Sequence, residues 1–105
     1  MSKLISKIEI EKFNQEGAVF LQNKFNVKWI EKLKKGIERD IKNPSPRFKS
    51  HTKKSNVPAY LEDYWTWDLV PEFKEFVYKS PYAEIASELM SAKKINLVMD
   101  NWFLR

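Results

Sequence analysis

A chain of 105 residues and 12.6 kDa has room for one compact domain and no more. The absence of cysteine excludes disulfides and thiolate metal sites, and a hydrophobic content of 43%, including seven Phe, four Trp and four Tyr, argues against disorder. The net charge of +5 is lopsided: residues 1–57 carry 14 Lys or Arg against 6 acids and residues 58–105 carry 5 against 8, which leaves +8 and −3. Such asymmetry suits either an anionic partner or a solvated lysine-rich face, and the solvated face is the simpler reading. The opening MSKLISKIEIEK alternates charge with single aliphatics, without a signal-peptide core or an apolar span of about 20 residues. A cytoplasmic protein with no membrane partner is therefore expected.

In chain order, residues 8–15 read as a short helix stopped by Gly17, and the apolar run 18–21 as a brief strand. From Asn26, a good N-cap, Trp29, Leu33, Ile37 and Ile41 recur every four residues beside Ile30, which predicts an amphipathic helix ending near Asn43. Pro44-Ser45-Pro46 blocks its continuation, and residues 44–58 read as a basic, flexible loop. After the aromatic run of Tyr60, Tyr64, Trp65 and Trp67, Pro71 predicts the first turn of a second helix carrying Phe73, Phe76 and Val77. Ser80 as N-cap and Pro81 at the first position predict a third, with Ile85, Ala86, Leu89 and Met90 as its apolar stripe. Residues 94–105 alternate and are rich in β-branched and aromatic types, so they read as one long strand. Its only partner in this inventory is 18–21, and two strands alone are marginal in water. The sheet is therefore expected to continue beyond the chain, whose unpaired terminal strand would favour self-association.

Chemistry is sparse in the residue types. His51 is the only histidine, is followed by Thr52 and Lys53, and reads as an ordinary exposed side chain. A nucleophilic triad has no base other than this one histidine. No catalytic or metal-ligating residue is assigned. Glu62-Asp63 and Glu72 with Glu75 read as first-turn helix charges rather than acid–base pairs. Trp65 and Trp67 read as core residues before ligand-stacking ones. The basic residues Arg47, Lys49, Lys53 and Lys54 lack an interleaved aromatic readout pattern, which disfavours nucleic acid as a partner. On the terminal strand Asn101, Phe103 and Arg105 share one face, and Asp100 and Trp102 the other.

Several segments, in order, resemble the N-terminal region of the phytanoyl-CoA dioxygenase family of Fe(II)/2-oxoglutarate-dependent oxygenases. FNQEGAVFLQNKF is similar to that family's opening helix, turn and strand, and VKWIEKLKKGIERDI to the helix that follows. WTWDLVPEFKEFV, SPYAEIASELM and the closing strand resemble consecutive elements upstream of its iron motif. The resemblance spans about residues 10–105 and rests on order and spacing, since no single motif is diagnostic; Ser91 stands where relatives often place Gly. It implies an α+β chain, mostly helical as it stands, forming one partial domain over residues 1–105. Its helices would buttress the first strands of a double-stranded β-helix, or jelly roll. It further implies Fe(II) and 2-oxoglutarate as cofactors of a full-length enzyme that hydroxylates a small-molecule or acyl substrate. The His-x-Asp pair, the distal His and the 2-oxoglutarate-binding Arg would lie past Arg105, so this chain alone would bind neither cofactor and catalyse nothing. Asn101 falls at the strand position whose side chain faces the cosubstrate in that family, and its amide suits a carboxylate. The alternative expectation is a non-catalytic module that engages an anionic partner through its basic half. A third is that the basic loop recognises the phosphates of a coenzyme A thioester.

Overall fold

The computed structural model describes residues 4–51 and 60–105. Ser6 starts α1 (Lys7–Glu16) with a reciprocal cap: its hydroxyl accepts from the Glu9 N–H at 3.1 Å while the Glu9 carboxylate accepts from the Ser6 N–H at 2.8 Å. Gly17 ends it at φ 80, a left-handed turn that costs glycine little, and its N–H donates to the Phe13 carbonyl. No residue of α1 is buried. What fastens the chain before it is Glu88, whose carboxylate accepts from the Leu4 and Ile5 N–H groups beside the buried Ile5.

The second helix, α2 (Val27–Lys42), is capped by Asn26 as its sequence predicts, with the side-chain oxygen accepting from the Trp29 N–H at 3.2 Å. Trp29, Leu33, Ile37 and Ile41 form its half-buried stripe, while Ile30 turns away and stays exposed. Its fully buried positions are Gly36 and Asp40. Pro71 opens α3 (Pro71–Lys79), and α4 (Tyr82–Met90) follows one residue later than predicted: Pro81 takes the cap position and the Ser80 hydroxyl accepts from the Tyr82 N–H. Along the α2–α3 contact Arg39 grips Glu72 with two hydrogen bonds of 2.8 and 2.9 Å, and Lys32 pairs with Glu75. Their guanidinium and ammonium groups hold both carboxyls below the usual carboxylate range. Glu72 is thus a first-turn charge as expected, with a partner besides the helix dipole.

Three short strands form one antiparallel sheet in the order β1 (Lys49–Ser50), β2 (Leu61–Tyr64), β3 (Asn101–Leu104). The register pairs Lys49 with Glu62, Glu62 with Phe103, Asp63 with Trp102 and Tyr64 with Asn101. Several expectations are corrected here. Residues 18–21 are not a strand: no strand lies alongside them among the described residues, and Phe20 is 80% exposed. The long terminal strand shrinks to its last third, because only Asn101–Leu104 finds a ladder. Its partner is β2, inside the chain, so the sheet does not depend on the 18–21 segment. Glu62 and Asp63 sit on that strand and not in a helical turn. The expected loop 44–58 contains β1 and a buried Ser45, while its residues 52–58 lie outside the described part.

The architecture is α+β, with about 47% of the described residues helical. The core lies between α2, α3 and one face of the sheet. Val70, Phe73 and Trp102 form its buried centre, with Leu33, Ile37, Ile41, Phe48, Leu61 and Trp67 packed around them. No described helix is long and apolar enough to cross a membrane.

Candidate ligand-binding face of the sheet

Alternation along each strand divides the sheet into two faces. Leu61, Asp63 and Trp102 point toward the helices. The opposite face carries Lys49 and Glu62 with Phe103 in one row and Tyr64 with Asn101 in the next, flanked by His51 and Tyr60. Side-chain contacts on this face run among His51, Tyr60, Glu62, Tyr64, Phe103 and Arg47, none of them helical. His51 Nε2 lies 3.0 Å from Glu62 Oε1, the Tyr60 ring sits between His51 at 5.2 Å and Phe103 at 6.1 Å, and the Arg47 guanidinium stands 5.9 Å over the Tyr64 ring. Phe103 is 56% exposed and Asn101 is also exposed. The Asn101 amide makes no side-chain hydrogen bond among the described residues, so its donor and acceptor are both available.

His51 is exposed, as expected, and the strand pairing that puts residue 49 opposite residue 62 also brings it to Glu62. Arg47 is committed elsewhere than a sequence reading suggests: its Nε donates to the Tyr64 carbonyl at 2.9 Å and its Nη2 to the Trp65 carbonyl at 2.7 Å. Lys49 is exposed, and Lys53 and Lys54 lie outside the described residues. Trp67 joins the core margin as expected. Trp65 does not: it is 51% exposed at φ 56, a backbone region that bulky side chains rarely adopt. Asp100 holds it there. The Asp100 carbonyl accepts from the Trp65 N–H, and the Asp100 carboxylate accepts from the Thr66 N–H, the Thr66 hydroxyl and the Trp67 N–H at 2.8–3.0 Å. These contacts span more than 30 residues, and Thr66 is wholly buried by them.

Sequence reasoning also missed a pair of buried acids in the core. Asp40 and Asp63 are both buried on either side of Trp102, which lies opposite Asp63 in the register and donates its indole N–H to Asp40. Burial raises Asp40, and the hydrogen bond to and charge of Asp63 add to it, to about 7. Burial alone would raise Asp63 too, but hydrogen bonds from Asp40, from the Ser45 hydroxyl at 2.6 Å and from the Tyr64 and Ser45 N–H groups outweigh it and hold it low. No spacing rule links positions 40 and 63, so nothing in the residue pattern marks the pair.

A hollow lies on the helix side. Two connected grooves of about 370 and 530 Å³ share Trp67, Val77, Tyr82, Leu97 and Met99, and Asn101 borders the smaller. Their walls are mainly apolar, with Asn96, Asp100 and Asn101 the polar exceptions besides the two tyrosines. Among the described residues no group of three His, Cys, Asp or Glu side chains is placed to hold a metal ion. Among the described residues His51 and Glu62 pair without a third ligand beside them, which does not fit the two-histidine, one-carboxylate set that Fe(II) oxygenases use. No family model, no curated protein and no solved structure matches this chain.

Proposed function

We propose that this chain is the N-terminal helical buttress and first strands of an Fe(II)/2-oxoglutarate-dependent dioxygenase of the phytanoyl-CoA dioxygenase kind, acting on a small-molecule or acyl substrate. The observation that carries the reading is the two-sided sheet: the helices pack on the face with Leu61 and Trp102, the side-chain contacts of the opposite face run among non-helical residues, and Asn101 stands at the edge, where it also borders the smaller groove. A sheet of this kind is what a jelly roll needs, with helices behind it and ligand in front. Three of the segments on which the resemblance rests fold as helices in the expected order, α2, α3 and α4. Within the reading, the chain's own residues position and do not react. Asn101 donates its amide N–H to a carboxylate of 2-oxoglutarate, and Tyr64 and Phe103 wall the ligand from water. The iron ligands are supplied by other residues.

The alternative, a basic module for an anionic partner, draws less support. Arg47 spends its donors on two backbone carbonyls, and Arg39 and Lys32 spend theirs on Glu72 and Glu75.

Protein encoded by the full reading frame and purified from its native source, supplied with Fe(II), 2-oxoglutarate and oxygen, is expected to release succinate. Asn101→Ala in that protein is expected to raise KM for 2-oxoglutarate about tenfold, the loss of one hydrogen bond to a charged group. Absence of succinate from an iron-loaded protein overturns the reading. Binding by the isolated chain to nucleic acid or acidic protein that weakens with salt would favour the alternative.

A further inference from the structure

We propose that Asp40 and Asp63 form a proton-sharing latch between α2 and the sheet, which holds the two layers together while one proton is present and loosens when it is lost. The geometry requires the sharing. Asp40 is 2% exposed and Asp63 0%, Trp102 lies opposite Asp63 on β3 and donates its indole N–H to Asp40, and none of the ion pairs among the described residues involves either carboxyl. Two carboxylates side by side without a cation cannot both stay ionised away from water.

The surroundings on every packed element decide which one keeps the proton. From the turn after α2, Ser45 gives Asp63 both its hydroxyl and its N–H, and from β2 the Tyr64 N–H adds a third donor at 2.8 Å. Three donors from outside the pair suit a carboxylate. Asp40 receives only the Trp102 indole N–H from β3, at 3.1 Å on Oδ2, besides a backbone contact from Ser45. It is the partner with an oxygen left to carry the proton and donate it to Asp63. The neighbouring charged groups all face elsewhere: Arg39 is held by Glu72 of α3, Arg47 by the Tyr64 and Trp65 carbonyls, Glu62 by His51 and Asp100 by Thr66.

The direction of the pH effect follows. Folded Asp40 keeps its proton to about pH 7, whereas an unfolded aspartate releases it near 3.8. The folded state therefore binds more protons across that window, and the contribution of this group to stability falls from about pH 4 to about pH 7 and then levels off. The ceiling on the loss is about a thousandfold in the folding equilibrium, a factor of ten for each pH unit between the two values.

Asparagine has the shape of a protonated aspartate, with one donor and one acceptor, and so separates the two roles. In denaturation of the 105-residue chain between pH 5 and 9, the Asp40→Asn variant is expected to match or exceed the parent above pH 7 and to lose the parent's decline. The Asp63→Asn variant is expected to be weaker at every pH, since a single amide oxygen cannot accept from Ser45 and Tyr64 as two carboxylate oxygens do. The indole N–H resonance of Trp102 should titrate with a midpoint near 7 in the parent and stay fixed in the Asp40→Asn variant. Equal behaviour of the two variants, a flat Trp102 resonance in the parent, or failure of the Asp40→Asn variant to fold would each overturn the proposal.

Discussion

Trp102→Ala is expected to cost about 3–5 kcal/mol, the usual loss for truncating a large buried aromatic, against the roughly 5–15 kcal/mol that holds a domain of this size folded. Trp102 touches Phe48 at 6.1 Å between ring centres and shares the core with Val70 and Phe73, so its removal opens a void where sheet and helices meet. It also takes the side-chain N–H that, among the described residues, reaches Asp40. Trp102→Phe separates the two effects. That variant keeps most of the packing and loses the hydrogen bond, so it should cost about 1–2 kcal/mol and push the Asp40 titration to higher pH, because the indole favours the ionised carboxyl. Urea denaturation of both variants measures the difference. A loss below about 1 kcal/mol for Trp102→Ala would mean that the sheet is not seated on the helices through this residue.

The second large effect belongs to Gly36. A β-carbon there would stand 2.5 Å from Phe73 Cε1, 2.8 Å from Cδ1 and 3.2 Å from the Glu72 β-carbon, with the Phe73 ring buried and unable to swing into solvent. Alanine gains about 1 kcal/mol of helix propensity over glycine, but overpacking a core contact costs about 1–3 kcal/mol. At separations this short the clash wins, so Gly36→Ala should destabilise the protein despite improving the helix, and Gly36→Val should lose about 3 kcal/mol. Combining Gly36→Ala with Phe73→Leu should recover part of the loss, a coupling that two independent sites would not show. A stabilised Gly36→Ala variant would contradict the close α2–α3 approach.

The helices were legible in the residues because helical signals are local. Asn26 before a four-residue recurrence of Trp29, Leu33, Ile37 and Ile41 holds its own cap and its own buried stripe, and Pro71 announces a first turn without reference to anything distant. The strands were not legible in the same way. Leu61-Glu62-Asp63-Tyr64 has two acids in four residues and becomes a strand only because residues 101–104 lie beside it, forty positions on. The apolar 18–21 run has the better strand composition and pairs with no strand among the described residues. The candidate face was half legible: alternation put Asn101 and Phe103 on one side of the last strand, but which residues of β2 join them depends on the register. Trp65, exposed and left-handed, owes its place to Asp100, and Asp40 is raised by burial and by Asp63; both relations cross 23 residues or more and leave no periodic trace.

If the proposed reading holds, the ligand sits on the sheet face with Tyr64 and Phe103 rather than in the grooves beside α3 and α4, and side-chain oxidation distinguishes the two directly. Hydroxyl-radical footprinting of the native-source protein with and without 2-oxoglutarate should show Tyr64 and Phe103 protected by the ligand while Tyr78 and Tyr82 react as before. Protection at Tyr78 and Tyr82 with Tyr64 and Phe103 unchanged would place the ligand behind the sheet and contradict the account.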